Sequence, residues 1–351
     1  MKNILHVIGT RPNLIKASVV SKDKNFNHYF VDTNQHYEPM MQEEIYKDLK
    51  VDTDNIFFLE NKKHLSNNVT IICNLIKEYL HNFETDLLVV YGDTNTTVAG
   101  CLAAKTSSIK LAHVESGLRS WDNYQIEEAN RIIVDNLSDY RFTPTKSSLD
   151  NLVNENLSDN SFFTGDLMFD LFLNANTHWP NDIDNNFRDK EFYVCSIHRF
   201  ENINDRDNLE SILQSLSNLP LVIFTKHHSF DKSMVEFNIS YDKFKNIKFI
   251  DPLRHSEILG LIKESNGVIT DSGGLQKESY WLNKPTVILR KSTEWIELIN
   301  SGNCVLLNKY PSDIYKVIKK ISLMKNDVGP EFGSGKALSN LINKFRKILD
   351  E

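Results

Sequence analysis

Short apolar runs alternate with helical patterns along the chain, and they form two successive series. Each run is bounded by polar or turn-forming residues, which is typical of strands buried on both faces of a parallel sheet. Helical periodicity appears between the runs, for example over residues 67–82 and 208–216. The pattern predicts strands at 4–8, 29–33, 87–91, 110–114, 140–143 and 162–164 in the first series, and at 192–197, 221–225, 247–250, 268–270, 286–289 and 304–307 in the second.

This alternation predicts an α/β protein with two doubly wound, Rossmann-like domains, because parallel strands need helical crossovers. A polar stretch at 174–189 separates the two series and is interpreted as a linker. We therefore expect an N-terminal domain over 1–173, a C-terminal domain over 190–335, and a last segment, 336–351, whose helix packs back on the first domain. Two such domains facing each other place the active site in the cleft between them, at the carboxyl ends of the strands.

Composition excludes several classes of protein. Of 351 residues, 40% are hydrophobic and 25% charged, as in soluble globular proteins. A net charge of −7 argues against nucleic acid or anionic membranes as partners, although a local basic pocket for a diphosphate is compatible with it. No apolar run reaches the roughly 20 residues that span a bilayer, and Arg11 and Pro12 interrupt the N-terminus too early for a signal peptide. Four cysteines, far apart in apolar surroundings, indicate core residues of a cytoplasmic protein and no disulfide framework or metal site.

A glycine turn follows the predicted strand at 268–270. Its sequence, Asp-Ser-Gly-Gly at 271–274, lets the backbone approach a ligand closely. A helix expected to begin near Leu275 would offer free N–H groups to phosphate, and Glu278, one turn further on, is suited to a ribose diol. The turn therefore indicates a nucleotide diphosphate site, with an ordinary strand–helix turn as the alternative.

Charged residues follow the first predicted strand. Pro12 fits the first turn of a helix, which leaves Arg11 and Lys16 as candidate phosphate ligands. A surface salt bridge is the alternative for both.

Acidic residues follow the next strands of the first series. Asp93 comes after the strand at 87–91, Glu115 after the strand at 110–114, and Glu127 opens a helix. Asp93 alone is equally well explained as a helix N-cap. Together, the three acids are expected to raise one another's pKa values and to form acid/base pairs.

In the second series, His198 and Arg199 follow the first strand, where a departing diphosphate would develop charge. Arg290 and Glu294 follow the fifth strand and flank the same crevice. Residues 225–228, Thr-Lys-His-His, lack zinc-ligand spacing and are interpreted as a solvated loop. The sequence contains no Gly-x-Gly-x-x-Gly, which argues against a bound dinucleotide and against hydride transfer.

A set of motifs, in order over nearly the whole chain, resembles those of the non-hydrolysing UDP-N-acetylglucosamine 2-epimerases. They are Gly-Thr-Arg-Pro-x-x-Ile-Lys (9–16), Gln35-His36, Gly-Asp-Thr-x-Thr-Thr (92–97), His-Val-Glu-x-Gly-Leu-Arg (113–119), Glu-Glu-Ala-Asn-Arg (127–131), His-Arg-x-Glu-Asn (198–202), Asp-Ser-Gly-Gly-x-Gln-Lys-Glu (271–278) and Arg-x-x-Thr-Glu-Trp (290–295). The resemblance implies the glycosyltransferase-B architecture of two facing Rossmann-like domains, and a homodimer is also expected.

The resemblance also implies roles for individual residues. Catalytic residues would be Asp93, Glu115, Glu127 and His198, and UDP-binding residues would be Arg11, Lys16, Arg199, Ser272, Gly273, Gly274, Glu278 and Arg290. The implied reaction breaks the C1–O bond to UDP with loss of the C2 proton, forms a 2-acetamidoglucal, and adds UDP back with a proton on the opposite face. Carboxylates near C2 and cations on the diphosphate would suffice, with no cofactor and no metal.

Departures from the family pattern bear on regulation and substrate. Ile126 stands where the family often has Pro, Phe200 where it has Arg, and Asn34 where it has Gly. Since these stretches help several bacterial members hold a second, activating UDP-N-acetylglucosamine, allosteric activation is in doubt. Residues 16–21, 118–120 and 293–295 lean toward a sister branch that epimerises UDP-2,3-diacetamido-glucuronic acid for surface polysaccharide.

Four functions stay open at this point. UDP-N-acetylglucosamine 2-epimerase is preferred, followed by the same reaction on the diacetamido uronic acid. A hydrolysing epimerase comes third, because residues 9–16 resemble the non-hydrolysing branch. A glycosyltransferase of the same architecture comes last, because three carboxylates would be superfluous there.

Overall fold

Two compact units make up the chain in the computed structural model, which describes residues 1–33, 46, 51, 55–59, 68–181, 183–309, 311, 313–323 and 329–350. The first unit contains Met1–Leu173 and Pro330–Glu351, and the second contains Asn174–Gly329. Each unit is built on one parallel sheet with its own buried apolar core.

The first unit holds a seven-stranded sheet in the order β3-β2-β1-β4-β5-β6-β7. Chain order reverses between β1 and β4, the position where open α/β sheets bind ligands. Central strands such as β4 are buried over their whole length. The elements are β1 Asn3–Ile8, α1 Arg11–Val20, β2 Asn27–Asp32, β3 Ile56–Phe58, α2 Val69–Asn82, β4 Leu87–Tyr91, α3 Asn95–Thr106, β5 Lys110–Val114, α4 Ile126–Leu137, β6 Tyr140–Thr143, α5 Lys146–Asn154, β7 Ser161–Phe163 and α6 Leu167–Leu173.

The second unit holds a six-stranded sheet in the order β10-β9-β8-β11-β12-β13. The corresponding reversal lies between β8 and β11, so the segments after these strands share one edge of the sheet. The elements are β8 Tyr193–Ser196, α7 Phe200–Ile203, α8 Arg206–Leu216, β9 Val222–Thr225, α9 His228–Glu236, β10 Ile247–Ile250, α10 His255–Glu264, β11 Val268–Thr270, α11 Gly273–Trp281, β12 Thr286–Ile288, α12 Ile296–Asn300, β13 Cys304–Leu306 and α13 Ile314–Ser322.

The last helix, α14 (Ala337–Asp350), belongs to the first unit. Asp170 of α6 accepts hydrogen bonds from the N–H groups of Ala337 and Leu338, which caps the start of α14. Phe345 packs edge-on against Phe142 of β6, with ring centroids 5.4 Å apart. The chain thus returns to the first sheet through an amphipathic helix whose apolar face completes that core.

Each of the twelve predicted strands is confirmed to within two residues at either end. One strand, β3, escapes the sequence pattern because it has only three residues and exposes both of its phenylalanines at the sheet edge. The stretch 174–189, interpreted as a linker, packs within the second unit. Its apolar residues explain the difference, since Ile183 is buried and the Trp179 indole N–H donates to the Ile183 carbonyl oxygen.

All four cysteines are buried and unpaired, as expected of core residues. Within the described part of the chain, no helix is long and apolar enough to cross a membrane.

Candidate active site

Asp93 lies immediately after β4, where Gly92 adopts a left-handed backbone with φ of +64°. Thr94, not Asp93, caps α3, through a capping box with Thr97. The N-cap alternative for Asp93 is therefore wrong, and its carboxylate instead accepts a hydrogen bond from Arg131 of α4. The Asn130 side-chain amide donates to the backbone carbonyl oxygen of Asp93 at 2.8 Å, so α4 contacts both the backbone and the side chain of this residue.

Glu115 directly follows β5, in a backbone conformation that is rare for residues with a side chain. Its φ is +71°, in the left-handed region that usually requires glycine, and such strain is concentrated at functional sites. The side chain forms a largely buried ion pair with Lys16 of α1. Its Oε2 atom lies 3.4 Å from the position that a Cβ would take on Gly92. The carboxylate of Glu115 is thus adjacent to the backbone that carries Asp93.

The first turn of α4 carries two glutamates with different surroundings. Glu127 is half-buried and lies one helical turn before Arg131. Glu128 is buried and accepts hydrogen bonds from the N–H groups of Ser120 and Trp121 at 2.8 and 2.9 Å, and from Arg131 at 2.8 Å. Glu128 therefore shapes the preceding loop, whereas Glu127 is the glutamate available to a ligand.

Two of the three acids form ion pairs, Asp93 with Arg131 and Glu115 with Lys16. The expectation that the three acids raise one another's pKa values stays a prediction. Lys16 was expected to bind UDP, and that role stays a prediction. Arg11 is exposed at the start of α1, where Pro12 fits the first turn as expected.

The glycine turn of the second unit opens α11. Ser272 is the N-cap, and its hydroxyl accepts a hydrogen bond from the N–H of Leu275. The helix begins at Gly273 and not near Leu275, so both glycines lie in its first turn. Nothing lies within 4 Å of a Cβ built on Gly274, which is exposed. This arrangement leaves helix N–H groups open to an anion.

His198 and Arg199 follow β8 and are anchored by Asp271, which follows β11. The Asp271 carboxylate accepts hydrogen bonds from both backbone N–H groups, at 3.0 to 3.1 Å, and from the Asn202 amide at 2.9 Å. Nδ1 of His198 lies 3.2 Å from the same carboxylate. Burial alone would raise the pKa of Asp271, but His198 and these donors together hold it below its ordinary value. A buried carboxylate thus orients the partly exposed imidazole.

Arg290 follows β12 and is 2% exposed. Its Nη2 donates to Glu294 at 2.9 Å, whereas Nε and Nη1 are buried without a hydrogen-bond partner among the described residues. Buried donors of this kind are costly unless a ligand or water meets them. Glu294 also approaches Gly273, with its Oε1 3.3 Å from a Cβ built there. The guanidinium therefore belongs to the same site as the glycine turn.

Glu278 of α11 is largely buried and contacts His255, the first residue of α10, with 2.8 Å between Oε1 and the imidazole Nε2.

His227, expected in a solvated loop, is the N-cap of α9, and its ring lies 5.3 Å from that of His198. The predicted motif residues Gln35 and His36 lie outside the described residues.

Sequence reasoning missed several residues that hold the site. Asp271 and Arg131 stand inside motifs, so their positions gave a signal. His255 gave none, because its contact with Glu278 depends on how α10 meets α11.

Comparison with known proteins gives a consistent result. Residues 18–346 match the family model described as UDP-N-acetylglucosamine 2-epimerase. A Methanococcus maripaludis protein named UDP-N-acetylglucosamine 2-epimerase homolog is 33% identical over 98% of this chain and 99% of its own. A Pseudomonas aeruginosa UDP-2,3-diacetamido-2,3-dideoxy-D-glucuronate 2-epimerase is 32% identical over 98% of this chain and 99% of its own.

Solved structures agree with these relatives. The Methanocaldococcus jannaschii UDP-GlcNAc 2-epimerase in complex with UDP-GlcNAc and UDP superposes with a TM-score of 0.85 at 29% identity, over 99% of this chain and 100% of its own. The S. aureus MnaA–UDP structure gives a TM-score of 0.87 at 27% identity, over 100% and 97% of the two chains. The predicted fold class, with two Rossmann-like parallel sheets, is confirmed.

Proposed function

Because the chain belongs to the UDP-N-acetylglucosamine 2-epimerase family, we propose that it epimerises C2 of a UDP-2-acetamido sugar and converts UDP-N-acetylglucosamine into UDP-N-acetylmannosamine without hydrolysis. One observation carries this proposal. Two carboxylates, Asp93 and Glu115, stand at adjacent strand ends, each paired with a cation, and one of them is held in a strained left-handed conformation. Neighbouring ionised carboxylates are suited to moving a proton on carbon.

The chemistry explains why the site needs more than a base. The C2 proton lies beside an acetamido group and not beside a ketone, so its direct removal and return is very difficult. We propose instead that a carboxylate takes the C2 proton while the C1–O electrons leave with UDP, which gives a 2-acetamidoglucal. A second acid then delivers a proton to the opposite face of C2 as a UDP oxygen adds back to C1. The half-buried Glu127 is a candidate for that second acid.

The second unit supplies what the leaving diphosphate requires. The first turn of α11 offers N–H groups at Gly273 and Gly274, and Arg290 holds two N–H groups that no described residue meets. His198 follows β8 and is oriented by Asp271, which follows the neighbouring strand β11. We propose that Ser272, Arg199 and Arg11 also contact UDP, and that Glu278 binds the ribose. Preorganised donors of this kind stabilise developing negative charge in the transition state.

The first test replaces the two acids by their isosteric amides. Asp93→Asn and Glu115→Gln should each lower UDP-N-acetylglucosamine turnover about 10³-fold, because each removes a proton-transfer group. The dissociation constant for UDP, measured by calorimetry, should stay within about threefold of wild type. Asp150→Asn and Glu84→Gln, at exposed positions of the same unit, are the matched controls and should turn over normally.

If both active-site variants epimerised at the wild-type rate, the assignment of the acids would be wrong.

A second substrate is favoured by the 32% identity to the P. aeruginosa diacetamido-glucuronate enzyme. The same assay with UDP-2,3-diacetamido-2,3-dideoxyglucuronate decides between the sugars, since the preferred one should show the larger kcat/KM. A homodimer and a role of the product in surface polysaccharide synthesis stay predictions.

A further inference from the structure

A buried charged network lies behind the two catalytic carboxylates of the first unit. Its centre is Asp135 of α4, which is fully buried. Oδ1 of Asp135 contacts Nδ1 of His113 at 2.7 Å and accepts from the Ser116 hydroxyl at 2.5 Å. Oδ2 accepts from the N–H of Gly117 at 3.1 Å and from Nη1 of Arg119 at 2.7 Å. Four donors therefore surround one carboxylate.

His113 contacts the network through both ring nitrogens. Its Nε2 is 2.8 Å from the carbonyl oxygen of Gly92, which can only accept, so Nε2 donates. Its Nδ1 lies 2.7 Å from Oδ1 of Asp135, on the other side of the ring.

Asp135 is held as an ionised carboxylate. Arg119 places a buried positive charge on its other oxygen, which favours the ionised form. Burial alone would raise the pKa of Asp135, but His113, Arg119 and Ser116 together lower it to about 2. The ring of His113 therefore lies between a buried carboxylate and the carbonyl oxygen of Gly92.

The network connects the segments on which the acids stand. His113 holds the carbonyl of Gly92, the residue before Asp93. Ser116 and Gly117, which bind Asp135, directly follow Glu115 and its strained backbone. Asp135 shares α4 with Arg131, which binds Asp93.

We propose that Asp135 is a positioning residue: it orients the ring of His113, and the pair fixes the two backbone segments that carry Asp93 and Glu115. This inference rests on the proposed function of those acids. An error of about 1 Å in the position of a reacting group costs about 10²-fold in rate. Loss of the network should therefore lower kcat and leave nucleotide binding, a property of other residues, unchanged.

The test begins with a spectroscopic readout of the contact between Asp135 and His113. Protein labelled with ¹⁵N-histidine is recorded at pH 8, and the His113 signals are assigned by their loss in His113→Gln. The ring signals of His113 should move in Asp135→Asn and stay in place in Asp139→Asn. Unchanged His113 signals in Asp135→Asn would overturn the proposal.

Kinetics provide the second readout. Asp135→Asn should lower kcat about 10²-fold, with KM for UDP-N-acetylglucosamine and the UDP dissociation constant within about threefold of wild type. Asp139→Asn is the matched control, because Asp139 accepts the N–H of Leu111 at the opposite end of β5 and is partly exposed. Its kcat should stay within about twofold of wild type.

A double-mutant cycle covers the case in which one variant folds poorly. His113→Gln should lower kcat as much as Asp135→Asn, and the double variant should lose no more than either alone, because the pair acts as a unit. A wild-type kcat in Asp135→Asn, or fully additive losses, would overturn the positioning role. Normal turnover by Asp93→Asn and Glu115→Gln would instead refute the proposed function, so the two failures are distinguishable.

Discussion

Arg290 is the residue that most directly indicates a bound anion. Among the described residues its side chain has one hydrogen-bond partner, Glu294, and two of its buried N–H groups have none. A buried donor without a partner costs about 1–3 kcal/mol, so an anion that accepts from these groups would gain affinity. A diphosphate beside the first turn of α11 would accept hydrogen bonds from those N–H groups and pair with the positive charge of Arg290.

Arg290→Lys should therefore weaken UDP binding about tenfold, because an ammonium group does not reproduce the forked contact. The thermal midpoint without ligand should change by less than about 3 °C, since the replacement also removes unmet donors. Calorimetry and thermal unfolding measure the two effects. Arg206→Lys, at an exposed ion pair of the same unit, is the control and should change neither. Unchanged UDP affinity in Arg290→Lys would remove Arg290 from the binding site.

The sequence pattern placed Asp93 and Glu115 just after two strands, and both residues do lie there, whereas Glu127 lies in the first turn of α4. It could not predict the partners, because Lys16 meets Glu115 across 99 positions of chain and His255 meets Glu278 across 23. Such contacts depend on how helices pack against a sheet and not on local spacing. The same reason hid the His113–Asp135 pair, although His113 stands inside a recognised motif.

At the scale of elements, the neighbouring strands β1 and β2 each carry a buried imidazole, His6 and His28. Nε2 of His28 donates to the carbonyl oxygen of Asp23 at 3.1 Å, so Nδ1 of His28 accepts from Nε2 of His6 at 2.9 Å. Nδ1 of His6 then accepts from the hydroxyl of Tyr91 at 2.8 Å. A proton added to Nδ1 of His28 would face the Nε2–H group of His6, so two donors would meet without an acceptor. Burial lowers the pKa of His28 to about 4, and burial together with His28 lowers the pKa of His6 well below its ordinary value.

Stability should consequently depend on pH in the acid range. Both histidines have a lower pKa in the folded than in the unfolded chain, so folding is favoured fully above about pH 6.5 and less as the pH falls toward 4. His28 alone should cost up to about 3 kcal/mol over this interval. Denaturant titrations between pH 7.5 and 4.5 measure the slope. His28→Gln should flatten it, whereas His81→Gln, at an exposed position of α2, should not. Equal slopes in wild type and His28→Gln would contradict this assignment.

The central strands were predictable because strands such as β4, β9, β11 and β12 are buried over their whole length, which gives a continuous apolar signal. Edge strand β3 gave no such signal, because its pairing with β2 and not its own burial defines it. The stretch 174–189 was misinterpreted for the opposite reason. Its polar composition dominates, yet the apolar side chains of Trp179, Ile183 and Phe187 pack into a core cluster of the second unit.

At the scale of the whole molecule, the proposed function divides the chemistry between the two units. We propose proton transfer for the first unit, which holds Asp93, Glu115 and their cations. We propose anion binding for the second, which holds the glycine turn and Arg290. Similarity to a named 2-epimerase extends over 98% of the chain and so includes both units. The proposed mechanism therefore requires both a C2 proton exchange and a reversible C1–O cleavage in one reaction.

The most direct measurement follows UDP-N-acetylglucosamine, labelled with ¹⁸O in the C1–O–P bridge, by proton and phosphorus NMR in deuterated water. Elimination and re-addition of UDP predict three results. The product is UDP-N-acetylmannosamine with deuterium at C2, its diphosphate linkage is intact, and ¹⁸O is redistributed from the bridge to non-bridging positions of the β-phosphate. Free UDP with N-acetylmannosamine would contradict the non-hydrolysing assignment. Deuterium at C2 with the bridge label fully retained would contradict elimination and re-addition of UDP.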